Sequence, residues 1–255
     1  MDGIYKALQS ICILIIVGIL IGVWVNAGVV PSMIYYGLQL MHPTIFFIAT
    51  LLICSITSLA TGTSWGTMGT MGVALMGIGF GLGMNPGMTA GAILSGAYFG
   101  DKMSPLSDTT NLAPLAAGST LYEHIQHMFY TTVPAAIGAI ILYTVLGLNT
   151  SAAGLANSEK VDMMMANLSS IYHWNLLLLV PIIIILYGSI TKKPTIPVML
   201  ISSAVACLIG VFYQGFTFTD VFASSVSGFS MDMVKGTDTS LILPEIEKLL
   251  CRGGM

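Results

Sequence analysis

Long apolar runs separated by short polar turns dominate this chain. Residues 8–27, 44–61, 128–148, 176–190 and 195–214 are runs of this kind, and 66–83 is apolar but rich in Gly, Met and Thr. An α-helix rises 1.5 Å per residue, so about 20 apolar residues cross the hydrocarbon core of a bilayer. Residues 88–100 are too few to cross alone, and 216–230 form a weaker, Ser-rich stretch. The pattern predicts an all-α polytopic membrane protein with about seven hydrophobic spans, some of them discontinuous helices.

Composition supports this class. The chain has 255 residues, 55% hydrophobic and 7% charged, against about 25% charged in ordinary soluble domains. Between Lys6 and Asp101 there is no Asp, Glu, Lys or Arg, which no soluble surface of that length sustains. The net charge of −3 comes without a basic patch, so nucleic acid is excluded as a partner. The lipid bilayer is the expected surrounding. Cys12, Cys54, Cys207 and Cys251 show neither CxxC nor metal-ligand spacing and read as unpaired thiols. Residues 1–10 are weakly basic and the following run lacks a small-residue cleavage site, so it reads as a span rather than a leader. Lys192 and Lys193 form a basic turn, which places that turn, the 115–127 loop and the N-terminus with Lys6 in the cytoplasm and the 149–173 loop outside. The expected organisation is a transmembrane transporter domain over 1–230 and an amphipathic linker over 231–255.

Glycines organise the middle of the chain. Gly62, Gly66, Gly69 and Gly72 recur every three or four residues, and Gly87 with Gly91 and Gly96 with Gly100 repeat GxxxG. Small residues at that spacing let membrane helices approach closely. Gly77, Gly79, Gly81 and Gly83 alternate with apolar residues without the dinucleotide fingerprint, and read as an unwound end of a span.

The segment Gly100-Asp101-Lys102-Met103-Ser104-Pro105-Leu106-Ser107-Asp108-Thr109-Thr110-Asn111 ends the charge-free region. Ionisable groups in a hydrocarbon-buried region cost roughly 2.5–3.5 kcal/mol each on insertion scales, so they mark ion or proton paths. Pro105 removes a backbone donor and blocks a continuous helix, and it pushes Ser104 towards extended geometry. Ser107, Asp108, Thr109, Thr110 and Asn111 prefer caps and turns. The expected local structure is a helix ending near Gly100, an unwound stretch, and a second helix capped by Ser107 or Asp108. Discontinuous helices of this kind build the midplane sites of secondary transporters. Na⁺ wants oxygen ligands, which Asp108, Ser107, Thr109, Thr110 and Asn111 offer, with Asp108 as the main carboxylate and Asp101 as the second acid. Lys102 is the candidate counter-charge.

Thr61-Gly62-Thr63-Ser64-Trp65-Gly66-Thr67 has the G-x-S-x-G spacing of a hydrolase elbow. That motif needs a strand-turn-helix and His and acid partners. Between two membrane runs it reads as a helix break offering Thr63 and Ser64 as ligands, or as Ser/Thr helix packing, and the chain is not expected to be an enzyme. Glu123, His124 and His127 read as an interfacial turn before the span at Met128, and Glu159, Lys160 and Asp162 as a solvated loop.

Taken together, Gly62 to Thr67, Ser95 to Pro114, Leu121 to Met128 and Tyr130-Thr131-Thr132 resemble the NhaC family of sodium/proton antiporters. The resemblance implies a prokaryotic inner-membrane, multi-pass secondary transporter that exchanges Na⁺ for H⁺ without a cofactor. It also implies an inverted-repeat fold of which this chain holds part, because members are longer. Relatives that exchange malate and lactate make a carboxylate antiporter the alternative, and a fragment that does not transport is a third reading. Homo-oligomerisation is left open.

Overall fold

The computed structural model describes residues 2–105, 107–154, 158–191, 193–234, 247, 250 and 251, with backbone alone for 2–11, 13, 14, 108, 115, 150–154, 158–160, 189, 190 and 195. Among these residues the chain is helical and has no strand. In order the elements are α1 (Asp2–Asn26), α2 (Val29–Leu40), α3 (Pro43–Thr61), α4 (Ser64–Thr67), a π-helical turn (Met68–Gly72), α5 (Val73–Gly81), α6 (Pro86–Met103), α7 (Asp108–Ala117), α8 (Leu121–Gly154), α9 (Ser158–Ile171), a 3₁₀ turn (Leu176–Leu179), α10 (Val180–Ile190), α11 (Thr195–Phe212), α12 (Phe218–Ser227) and a last 3₁₀ turn (Met231–Met233).

Pro43–Thr61 and Leu121–Asn149 are long and apolar enough to cross a membrane. Two bent pairs reach four spans if each counts as one: Ile15–Asn26 with Val29–Leu40 at 68°, and Val161–Ile171 with Leu176–Gly188 at 96°. Along α8 the exposed side chains include Phe129, Ile137, Ile141, Leu142, Val145 and Leu148, an apolar face suited to hydrocarbon.

The chain forms two compact units, one of Met1–Tyr35 with Asp162–Met255 and one of Tyr36–Val161. In the first, α1 packs on α11 and α12, and α10 packs on α11. Trp24, Leu20, Leu168 and Leu178 are fully buried there. Trp24 Nε1 donates to Ser202 Oγ at 3.2 Å, and Ser202 Oγ donates onward to Pro181 O at 2.8 Å. In the second unit α3 packs on α6 and α8, and local sequence sets the helix ends. Asn85 Oδ1 caps α6 by accepting from the Gly87 and Met88 N–H groups at 2.9 and 3.2 Å, ahead of Pro86 at the first helical position. α3 ends where Gly62 turns left-handed at φ 68, the conformation glycine adopts without steric cost.

Several local expectations change. Gly77, Gly79 and Gly81 lie inside α5, and the unwinding starts only at Leu82 and Gly83. Gly79 takes the Phe46 ring tip, 2.8 Å from where a Cβ would stand, so close packing explains this glycine. The residues Glu123, His124 and His127 belong to α8 itself rather than to a turn before it. Glu159, Lys160 and Asp162 lie on α9 rather than in a loop. Within the expected 149–173 loop, α8 continues to Gly154 and α9 covers Ser158–Ile171, and α6 runs three residues beyond Gly100, to Met103. Most of the linker expected over 231–255, and Lys192 of the basic turn, lie outside the described residues.

Candidate functional site

Two helix breaks meet in the second unit. One separates α3 from α4 at Gly62 and Thr63; the other separates α6 from α7 between Ser104 and Ser107. They are brought together by the glycine face of α6. An added Cβ at Gly96 would run into Leu51 O, and one at Gly100 into Ser55 O while standing 2.6 Å from Leu59 N. Leu51, Ser55 and Leu59 are spaced by four along α3, so the two backbones lie face to face, as GxxxG spacing predicts. Hydroxyls then bridge the helices. Ser58 Oγ donates to Ala97 O at 2.6 Å and Ser104 Oγ donates to Leu59 O at 2.7 Å.

Each break follows from its residues. Thr63 is extended and caps α4, its Oγ1 accepting from Gly66 N–H at 3.3 Å. Thr67 Oγ1 donates back to Thr63 O at 2.9 Å. A π turn follows at once, a distortion common at functional sites. Ser104 is extended at φ −80 and ψ 124 because Pro105 follows. Ser107 is the N-cap residue of α7, although its hydroxyl pairs with Thr109 Oγ1 at 3.0 Å rather than with the helix backbone.

Asp101 sits between these breaks. It lies in the last turn of α6 with 6% exposure, and its Oδ2 accepts from Ser64 Oγ at 3.1 Å. Ser64 is buried as well. Thr110, 1% exposed, reaches back from α7 and shares its hydroxyl between Asp101 O and Lys102 O, both at 3.2 Å. Asn111 Nδ2 donates to Pro105 O at 2.9 Å and to Ser107 O at 2.7 Å. Two carbonyl acceptors fix the NH₂ end of that amide.

The structure thus joins Asp101 to Ser64 through its carboxyl and to Thr110 through its backbone carbonyl, and ties the Asn111 amide to the segment between α6 and α7. Thr109 is exposed, and Thr63 is half-buried with its oxygen used as a cap. Lys102 follows Asp101 directly, so it points about 100° around the helix, and no ion pair joins the two among the described residues. Asp108 opens α7, but its side chain lies outside the described residues. Sequence reasoning missed Ser58 and Ser104, which hold the breaks together. Ser104 stood inside the motif, and Ser58 lies on the α3 face defined by the later contacts of Gly100.

Comparison with known proteins places this region. Residues 96–255 match the model of the Na⁺/H⁺ antiporter family. The chain belongs to the Na⁺/H⁺ antiporter family. It is 50% identical over 254 residues to an "uncharacterized Na(+)/H(+) antiporter" of Haemophilus influenzae, covering 100% of this chain and 54% of that protein. It is 42% identical over 253 residues to the malate-2H(+)/Na(+)-lactate antiporter of Bacillus subtilis, covering 99% of this chain and 52% of that protein. It is 40% identical over 234 residues to the Na(+)/H(+) antiporter NhaC of Alkalihalophilus pseudofirmus, covering 91% of this chain and 50% of that protein. The chain therefore spans about half the length of the curated relatives it matches. No solved structure matches it.

Proposed function

We propose that Asp101 binds Na⁺ and H⁺ in competition and is the exchange group of Na⁺/H⁺ antiport across a prokaryotic inner membrane. The observation that carries this is the burial of a carboxyl, 6% exposed, between two helix breaks with Ser64 as its hydrogen-bond donor. Asp101 also lies at the C-terminal end of α6, where the helix dipole presents its negative end and favours a cation. Ser64 Oγ, Thr110 Oγ1 and Asn111 Oδ1 supply further oxygens. Asp108 begins α7, where the dipole favours a fixed negative charge, so it serves as the standing acid and Asp101 as the exchanging one. The step is a displacement: Na⁺ enters on the carboxylate as the proton leaves it, and the reverse reloads the proton.

A site of one carboxyl and several hydroxyls, with no cation paired to the acid among the described residues, fits a metal cation better than an organic anion. About seven spans, arranged as one half of an inverted repeat against a facing half, complete the architecture we propose. Because the proton and Na⁺ compete for one carboxyl, the Kd for Na⁺ of the purified chain rises about tenfold per pH unit on the acid side of the competition. Isothermal titration at several pH values measures this, and a Kd that ignores pH would sink the reading. Ser64→Ala removes the hydrogen bond to the ionised carboxyl, about 1.5–3 kcal/mol, and weakens Na⁺ binding by on the order of tenfold or more at fixed pH. The same titration reads this, and unchanged affinity would remove Ser64 from the site.

A further inference from the structure

The first unit carries its own broken helix. α1 ends at Asn26, Gly28 stands at φ 81, and the helices on either side meet at 68°. Gln214, just beyond α11, stitches the break in place: its Nε2 donates to Ala27 O at 3.2 Å and to His173 O at 3.1 Å, while its Oε1 accepts from His173 N–H at 3.0 Å. The Asn26 side chain is in a different state. It is 0% exposed, and neither Nδ2 nor Oδ1 has a hydrogen-bond partner among the described residues. Burying an amide without partners costs stability, and such groups in native folds call for a specific account, such as an ion or a function.

The surroundings select the ligand. Asn26 Oδ1 lies against Gly210 in the last turn of α11, 2.7 Å from where a Cβ on that glycine would stand. Two helix C-terminal ends, those of α1 and α11, therefore converge on this amide and present the negative ends of their dipoles, while α2 begins with its positive end three residues on, at Val29. α11 and α12 carry no Lys, Arg or His, and the carboxylate on them is Asp220. An unused oxygen at two converging negative ends suits a small monovalent cation, and a retained water can accept from Nδ2. We infer that Asn26 Oδ1 is a ligand in a second Na⁺ site, separate from Asp101; the choice of Na⁺ rests on the reading of the chain as a Na⁺ antiporter.

Radiolabelled Na⁺ binding at saturation and thermal unfolding of the purified chain test this in four proteins: wild type, Asn26→Leu, Gly210→Ala and Asp101→Asn. Asn26→Leu replaces the unpartnered amide with an apolar side chain, so it raises the unfolding temperature without Na⁺ and halves the Na⁺ bound. Gly210→Ala keeps the amide but sets a methyl against it, and it also halves the Na⁺ bound, which decides the matter if Asn26→Leu does not fold. Full Na⁺ binding by both variants overturns the second site and leaves the Asp101 reading standing. Full binding by Asp101→Asn overturns that reading instead, and no binding by wild type overturns both.

Discussion

Asp101→Asn abolishes Na⁺-coupled proton release from the purified chain while leaving its unfolding temperature without Na⁺ unchanged. Asparagine matches the carboxyl in shape and still offers an oxygen to Ser64 Oγ, which sits 3.1 Å from Asp101 Oδ2. The packing of α6 on α3 is untouched, because it rests on Gly96, Gly100 and the hydroxyls of Ser58 and Ser104. What asparagine cannot do is give up a proton to Na⁺ or meet Na⁺ with a full negative charge. Truncating one partner of a buried charge pair costs about 2–5 kcal/mol, on the order of 100-fold or more in Kd. Proton release followed with a pH indicator in weak buffer, alongside calorimetric Na⁺ binding, reads both effects. Retained proton release in this variant removes Asp101 from the exchange.

Gly100→Ala unfolds the second unit at a lower temperature and weakens Na⁺ binding with it. A Cβ at this position meets Ser55 O, stands 2.6 Å from Leu59 N and 2.7 Å from Ser58 Cβ. Two of those neighbours are backbone of a packed helix, which cannot swing aside as a long side chain would. Overpacking of this kind costs about 1–3 kcal/mol. The strain also lands one residue before Asp101, so it pulls the carboxyl from Ser64 and couples stability to binding. Gly138→Ala is the control. It lies in α8 with nothing within 4 Å of the added Cβ, so helix propensity alone acts and the change is neutral or stabilising by up to about 1 kcal/mol. Differential scanning fluorimetry of the two variants separates them; equal unfolding temperatures would mean that α3 and α6 do not lie face to face at Gly100.

Local chemistry made part of this structure legible from residues alone. Pro105 stops α6 and Ser107 precedes the first residue of α7, as the preferences of Pro, Ser, Thr and Asp dictate. The four-residue spacing of Gly96 and Gly100 marked the face that α3 covers. The pairing of Ser64 with Asp101 was not legible, because the two residues come from different breaks and only the packing of α3 on α6 brings them together. Sequence preference falls on Asp108, the acid surrounded by hydroxyls in the chain, whose side chain lies outside the described residues; among the described residues the buried acid with a donor is Asp101. Ser58 and Ser104 escaped notice for the same reason: each donates to a carbonyl on the other helix. Asn26 lay inside an apparently uniform apolar run, and nothing in its sequence neighbourhood distinguishes an unpartnered amide from a satisfied one. α9 is a different case. Its charges suggested a loop, yet the Met163 to Leu168 stretch that follows buries Met164 and Leu168 at the spacing of one helix face.

The exchange of a proton for Na⁺ on one carboxyl has a spectroscopic signature. Infrared difference spectra of the purified chain, recorded on adding Na⁺ near the acid limit of binding, report the C=O stretch of protonated carboxyl groups. Wild type is expected to lose one such band as Na⁺ binds, and Asp101→Asn is expected to show no loss. A band that still disappears in Asp101→Asn, and is absent from Asp108→Asn, would contradict the assignment and move the exchange to Asp108.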